Sequence, residues 1–198
     1  MKTITTILLV LTIFSLNAQE KFSVGFQVEG IRSTPKNLSY TSTIESGFGT
    51  GVGIYVSHQI WKSFSANTGI NYRFIQYNRF DKNVSSYIGE PTLDGFKYNQ
   101  NYLVVPFNLR KSFFNERLFV EIGPELNWIF GRENKDPKTE LLWKIGAGSK
   151  IGKLSYSLNY LWGNKEQSDV LISGSNNKFV TYNSRMLQLK VSYPLWLK

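Results

Sequence analysis

Between Asn101 and Gly131 apolar and polar residues alternate in two runs, separated by a polar turn around Ser112 to Arg117. Leu103, Val105, Phe107 and Leu109 share one side of the first run, and Val104, Pro106, Asn108 and Arg110 the other. In the second run Leu118, Val120, Ile122, Leu126, Trp128 and Phe130 oppose Glu121, Gly123, Glu125 and Asn127. Successive side chains of a strand point to opposite faces, so this period of two predicts an antiparallel hairpin whose faces meet different surroundings.

The same alternation recurs along the chain. It predicts strands over Lys21–Arg32, Gly47–Ser57, Phe64–Asn78, Glu140–Ile151, Leu154–Gly163 and Ser184–Trp196, which with the hairpin makes eight. In the second of these, Gly47, Gly49, Gly51 and Gly53 fall on one face with Tyr55. Glycine weakens a strand interior, but in a narrow barrel it leaves room for long side chains from neighbouring strands.

Connection lengths supply an independent pattern. Ser33–Ser46, Arg79–Lys97, Arg132–Thr139 and Asn164–Asn183 read as long polar loops, whereas His58–Ser63, Ser112–Arg117 and Gly152–Lys153 read as short turns. Strict long-short alternation with an even strand number is the topology of an outer-membrane barrel, with four long extracellular loops, short periplasmic turns and both barrel termini periplasmic. The expected fold is therefore all-β, an eight-stranded antiparallel up-and-down transmembrane β-barrel. Its aromatic and β-branched face would meet lipid, and its face of Gly, Ser, Asn, Lys, Arg and Glu would line the lumen, with too little apolar volume to form a dry core. Tyr72, Phe74, Trp128, Phe130, Tyr160 and Trp162 would form one aromatic girdle, and Trp61, Phe64, Phe113, Phe114, Tyr193 and Trp196 the other.

Composition adds to this picture at three points. Lys2, the apolar run Ile4 to Leu16 and the small Ala18 make residues 1–19 a signal peptide, leaving 20–198 as the barrel domain. An apolar run of about 13 residues is too short to cross ~30 Å of hydrocarbon as a helix. The chain has no cysteine, hence no lipidation site, disulfide framework or thiolate metal site. The formal charge of +9 is spread singly over strands and turns, with neither a basic patch nor a stacking motif, so no nucleic-acid partner is expected. Lys62, Lys111, Arg117, Lys153 and Lys198 would instead lie at the periplasmic rim, within reach of anionic headgroups.

The runs "YLVVPFNLRKSF", "EIGPELNWIFG" and "WKIGAGSKIGKLSYSLNYLWG" together resemble the PorT-like outer-membrane β-barrel family of Bacteroidetes-type Gram-negative bacteria. The chain departs from it at Val104, where an acidic residue is usual, and in its ending "YPLWLK". The resemblance implies the barrel fold over nearly all the mature chain and an outer-membrane location. It further implies handling by the barrel-assembly machinery during biogenesis, contact with outer-membrane lipids and lipopolysaccharide, and a secretion- or gliding-related assembly role. Independently of it, the extracellular loops would offer an adhesin or protein-partner surface.

Candidate chemistry rests on inward charges. Arg73, Arg110, Glu121, Glu125, Lys144 and Lys150 fall on the lumenal face, with Arg110 expected beside Glu121, Glu121 towards Lys150, and Glu125 towards Lys144. An isolated charge in so narrow a space costs several kcal/mol, so these groups should pair. The expected outcome is a structural plug, with a narrow passive pore as the alternative. Hydrolysis of lipid or peptide needs a base near a Ser or Thr. The single histidine, His58, falls in an expected short turn with no hydrolase motif around it. Asp81 and Asp94 are acidic residues of a long loop whose spacing specifies nothing, and Glu133 with Asp136 are read as a solvated charged loop tip, with a lipopolysaccharide-borne divalent cation as the alternative. No catalytic residue, cofactor or metal site is expected, and the chain is read as a structural or binding and assembly protein, not an enzyme.

Overall fold

The computed structural model describes residues 22–37, 42–81, 96–131, 138–163, 167–173 and 176–197. The strands are β1 (Phe22–Ser33), β2 (Lys36–Asn37), β3 (Ser42–Trp61), β4 (Phe64–Asp81), β5 (Phe96–Phe113), β6 (Leu118–Gly131), β7 (Lys138–Ile151), β8 (Leu154–Gly163), β9 (Gln167–Ser173), β10 (Asn176–Asn183) and β11 (Arg185–Leu197). Eight of them close a barrel in the order β1-β11-β8-β7-β6-β5-β4-β3, all neighbours antiparallel. Closure is made by β1 against β11, from Ser23 opposite Leu197 to Ser33 opposite Met186. It removes the unpaired strand edge that would otherwise template aggregation.

The start of β1 and the end of β11 lie at the rim of the short turns, Phe22 being paired with His58 near the base of the β3–β4 hairpin. That rim carries turns at Lys62–Ser63, residues 114–117 and Gly152–Lys153. Phe114, Asn115 and Glu116 all have positive φ, at 50°, 55° and 68°, and Gly152 has φ 61°. Only the β7–β8 turn puts glycine where left-handed backbone is least costly.

The structure lengthens several of the expected strands. β3 runs to Trp61, so His58 is not a turn residue: it pairs with Phe22 and Ala66, and its ring lies 6.5 Å from that of Phe22. Two residues suffice to turn a hairpin, so polar His58 and Gln59 remain in the ladder. The last expected loop is also more ordered than its composition suggests. β9 and β10 form a hairpin inside it, and β10 adds β2 to make a separate three-stranded sheet.

Side chains sort by parity around the wall. Phe48, Val52, Ile54, Ile70, Leu103, Phe107, Ile145, Leu158 and Leu189 are exposed on the outside, while Glu29, Arg73, Glu121, Glu125, Asn127, Lys144 and Asn159 are buried inside. Glycine permits this packing. Gly51 faces Glu29 across β3 and β1, and a Cβ there would run into the Glu29 side chain.

Candidate functional site

The lumen has three layers along its axis. At the loop end, Ile31, Ile75, Tyr77, Tyr102, Val104, Ile129, Leu142, Leu161, Tyr182 and Met186 pack as an apolar cluster. This overturns the expectation that the inner face holds too little apolar volume for a dry core. The inward positions near the loop ends of β1, β4, β5, β6, β7, β8 and β11 are aliphatic or aromatic, although their parity is that of the polar face. Tyr77 donates to Ser33 Oγ at 3.1 Å and lies 3.1 Å from the Tyr102 hydroxyl; Tyr102 donates to Gln100 Oε1, and Gln100 donates to the Tyr182 hydroxyl at 3.2 Å. Through Tyr182 the β2-β10-β9 sheet is tied to the barrel wall.

The middle layer is ionic. Arg73 on β4 bridges Glu29 on β1 and Glu125 on β6, each at 2.8 Å. Glu121 on β6 accepts from Lys190 on β11 at 2.6 Å and from Arg110 on β5 at 3.0 Å. Lys144 stands 3.9 Å from both Glu121 and Glu125 and couples the two groups. Gln188 donates to Glu29, and Asn159 donates to Gln188 at 2.9 Å. Several of these ties cross the lumen and do not follow neighbouring strands. Their partners share a low-dielectric interior, where an ion left unpaired is far more costly than one in water.

Below lies a vestibule open at the turn end. It is a cavity of about 130 Å³ lined among others by Asn67, Asn108, Arg110, Lys144, Lys150 and Lys190. Arg110 stacks its guanidinium 3.8 Å above the Phe119 ring, a cation–π contact that fixes the side chain against one wall.

Of the six residues expected in the lumen, Arg73, Arg110, Glu121, Glu125 and Lys144 come together in the ionic layer. Arg110 meets Glu121, and Lys144 approaches Glu125, as the strand pairing predicts. Lys150 does not reach Glu121: it pairs with Glu116 at 2.8 Å on the turn-end rim. The register explains this, because Lys150 lies opposite Arg117, four residues and so about 13 Å along the strand from Glu121. Lys190 takes that place. Sequence reasoning missed Glu29, Gln188 and Lys190, although each falls on an inward-parity position of its strand. Parity finds such residues, but it cannot tell which will meet across a closed barrel.

The lone histidine lies on the outer side of β3 beside Phe22, away from the lumenal network. Asp94, Glu133 and Asp136 lie outside the described residues, as does the side chain of Asp81.

No family model matches the chain, and no curated protein does. The PorT-like resemblance therefore rests on the quoted motifs alone. Among solved structures, the chain is similar to Ail, the attachment invasion locus protein of Yersinia pestis, at 15 % identity with a TM-score of 0.43, covering 89 % of this chain and 99 % of that one. It is similar to Neisserial surface protein A at 10 % identity and TM-score 0.43, covering 87 % and 97 %. It is also similar to the outer membrane protein AlkL at 11 % identity and TM-score 0.48, covering 89 % of each chain. The fold assignment stands on the closed strand order and register of this chain itself.

Proposed function

We propose that this protein is a small integral barrel of a Gram-negative outer membrane, with a plugged lumen and a structural or binding and assembly role. The observation that carries the reading is the inversion of its two surfaces. Phe48, Val52, Ile54 and Leu189 are 65 %, 58 %, 59 % and 55 % exposed, while Arg73, Glu121 and Glu125 are buried. In water a continuous apolar belt of this extent would drive association, whereas in a bilayer it is the required coat. Rings collect towards both ends of the belt, with Tyr72 6.3 Å from Phe130 and stacked Tyr160 and Trp162 on the loop side, and stacked Trp61 and Phe64 on the turn side.

In this reading residues 1–19 direct export, the assembly machinery inserts the barrel, and the turn rim with both barrel ends faces the periplasm. The exposed cations Lys62, Lys111, Arg117 and Lys153 then meet anionic headgroups, and the long connections meet lipopolysaccharide or a protein partner outside. A role in secretion follows from the PorT-like resemblance alone and remains part of the proposal. The apolar layer and the ion pairs favour a plug over a pore, because eight strands leave an interior that side chains can fill.

The test is heat-modifiable gel migration after outer-membrane extraction, combined with labelling of a cysteine placed in residues 82–95 on intact cells. A compact band that shifts on boiling, with surface labelling, supports the reading. A mature protein recovered soluble from the periplasm would sink it.

A further inference from the structure

The ionic layer closes only part of the lumen, and the vestibule beneath it is electropositive. Its lining includes six cations, Lys62, Arg110, Lys144, Lys150, Lys153 and Lys190, and among the described residues Glu116 is its single carboxylate. Glu116 is engaged by Lys150, and Glu121 in the ionic layer is shared among Lys190, Arg110 and Lys144. Lys144 is shared with Glu125, so the layer as a whole sets Arg73, Arg110, Lys144 and Lys190 against Glu29, Glu121 and Glu125. This one-charge excess adds to Lys62, Lys150 and Lys153 around the cavity, whose low-dielectric walls focus the positive potential.

The second observation is a set of polar atoms on one wall. Asn108 is 6 % exposed, and among the described residues its Oδ1 has no hydrogen-bond partner, nor do Asn67 Nδ2 and Arg110 Nε on half-buried neighbours. Asn67 and Asn108 face each other in register across β4 and β5, and Ser65 faces Arg110 one inward position along. All four residues line the same cavity. Buried polar groups of native proteins are almost always satisfied. Asn67 Nδ2 and Arg110 Nε are donors that an anion's oxygen would accept from, whereas Asn108 Oδ1 is an acceptor, and this amide serves an anion only in its flipped orientation. The volume of about 130 Å³ compares with the roughly 10–15 Å³ that holds one water.

We infer that the turn-side vestibule is a binding cup for a small oxyanion, a phosphate or carboxylate group. Arg110 and Lys190 supply charge-assisted donors, and Asn67, Asn108 and Ser65 orient the group. The ion-pair layer is the floor of the cup, which makes the cup a dead end and not a passage. The inference stands on the barrel and not on the surrounding membrane, so its failure would leave the outer-membrane reading intact.

The experiment is titration calorimetry of the full-length mature protein in zwitterionic micelles at low salt. Inorganic phosphate and glycerol phosphate are the soluble probes, and the same headgroup presented as phosphatidic acid in mixed micelles is the lipid probe. We expect saturable one-site binding of the soluble probes, weakened at least tenfold by Asn108→Asp, which puts a repelling carboxylate in the cup without removing an ion pair. Lys36→Gln removes one positive charge at the loop end and should leave binding within twofold. If Asn108→Asp fails to give a native circular-dichroism spectrum, Asn67→Asp on the facing strand carries the same test. Binding of both probe types, each lost in the Asp variant, assigns the oxyanion site to headgroups as well as free solutes. Absence of saturable binding by any probe, or equal binding by wild type, Asn108→Asp and Asn67→Asp, overturns the inference.

Discussion

Lys190 of β11 places its Nζ 2.6 Å from Glu121 Oε1 on β6, three positions away around the barrel wall. The pair fastens opposite parts of the lumen together, and its two ends are not equivalent. Glu121 also serves Arg110 and Lys144, whereas Lys190 has Glu121 as its ion-pair partner among the described residues.

That asymmetry predicts unequal costs of deletion. Glu121→Gln strands a cluster of buried cations and should destabilise by about 3–5 kcal/mol. Lys190→Met leaves the carboxylate with two cations and should cost less, about 1.5–3 kcal/mol for one charged hydrogen bond. Urea unfolding of vesicle-inserted protein measures both, and a Lys190→Met cost equal to or above that of Glu121→Gln would contradict the shared-carboxylate geometry.

Glycines offer a second comparison, since the same substitution should have opposite results at two of them. At Gly30, on the outer face, an added Cβ meets nothing within 4 Å, so Gly30→Val should be neutral or slightly stabilising through strand propensity. At Gly123 an added Cβ would meet the Phe107 carbonyl oxygen and the Asn108 Cα, backbone that cannot swing away. Gly123→Val should therefore cost about 1–3 kcal/mol or more. Unfolding midpoints of the two variants measured side by side decide it.

Most of the barrel could be read from the sequence because period-two patterning and connection length are local signals. The β5–β6 hairpin and the Gly152–Lys153 turn fall where alternation places them. Two kinds of feature were not legible. Lys190 and Glu29 enter the network only when the barrel closes and sets which inward residues share a height, a property of register that no single strand carries. The apolar cap was hidden for a different reason. Ile75, Val104, Leu142 and Leu161 sit at polar-face parity, one or two to a strand, and become a cluster only when the strands stand side by side around the axis.

The outer face supplies a test of its surroundings. Val52 lies near the middle of β3 and is 58 % exposed. If that exposure is to water, Val52→Arg costs almost nothing. Facing the bilayer midplane, the same change should cost about 2–4 kcal/mol. Folding titrations into phosphatidylcholine vesicles should show this loss at Val52, whereas Lys153→Arg on the turn rim should leave stability unchanged.

The final prediction concerns the proposed plug, whose two layers stand in series. Arg73, Glu29 and Glu125 cross-link the middle of the lumen, and Ile75, Val104, Leu142 and Leu161, each fully buried, fill it towards the loops. Wild-type protein in planar bilayers should show no conductance, and a stable large-conductance channel would refute the plug. Removing Arg73 alone would leave Glu29 without its ion-pair partner and Glu125 with Lys144 at 3.9 Å. The informative variant is therefore Arg73→Ala with Glu29→Gln and Glu125→Gln, which removes the Arg73 branch of the ionic layer together with both of its carboxylates and leaves Glu121 with Lys144, Arg110 and Lys190. That triple variant should remain silent, because the apolar layer still excludes hydrated ions. Adding Leu142→Ala and Leu161→Ala opens the second barrier and should produce small currents. Currents in the triple variant would instead make the ion pairs the seal, with the apolar layer serving only to pack the wall.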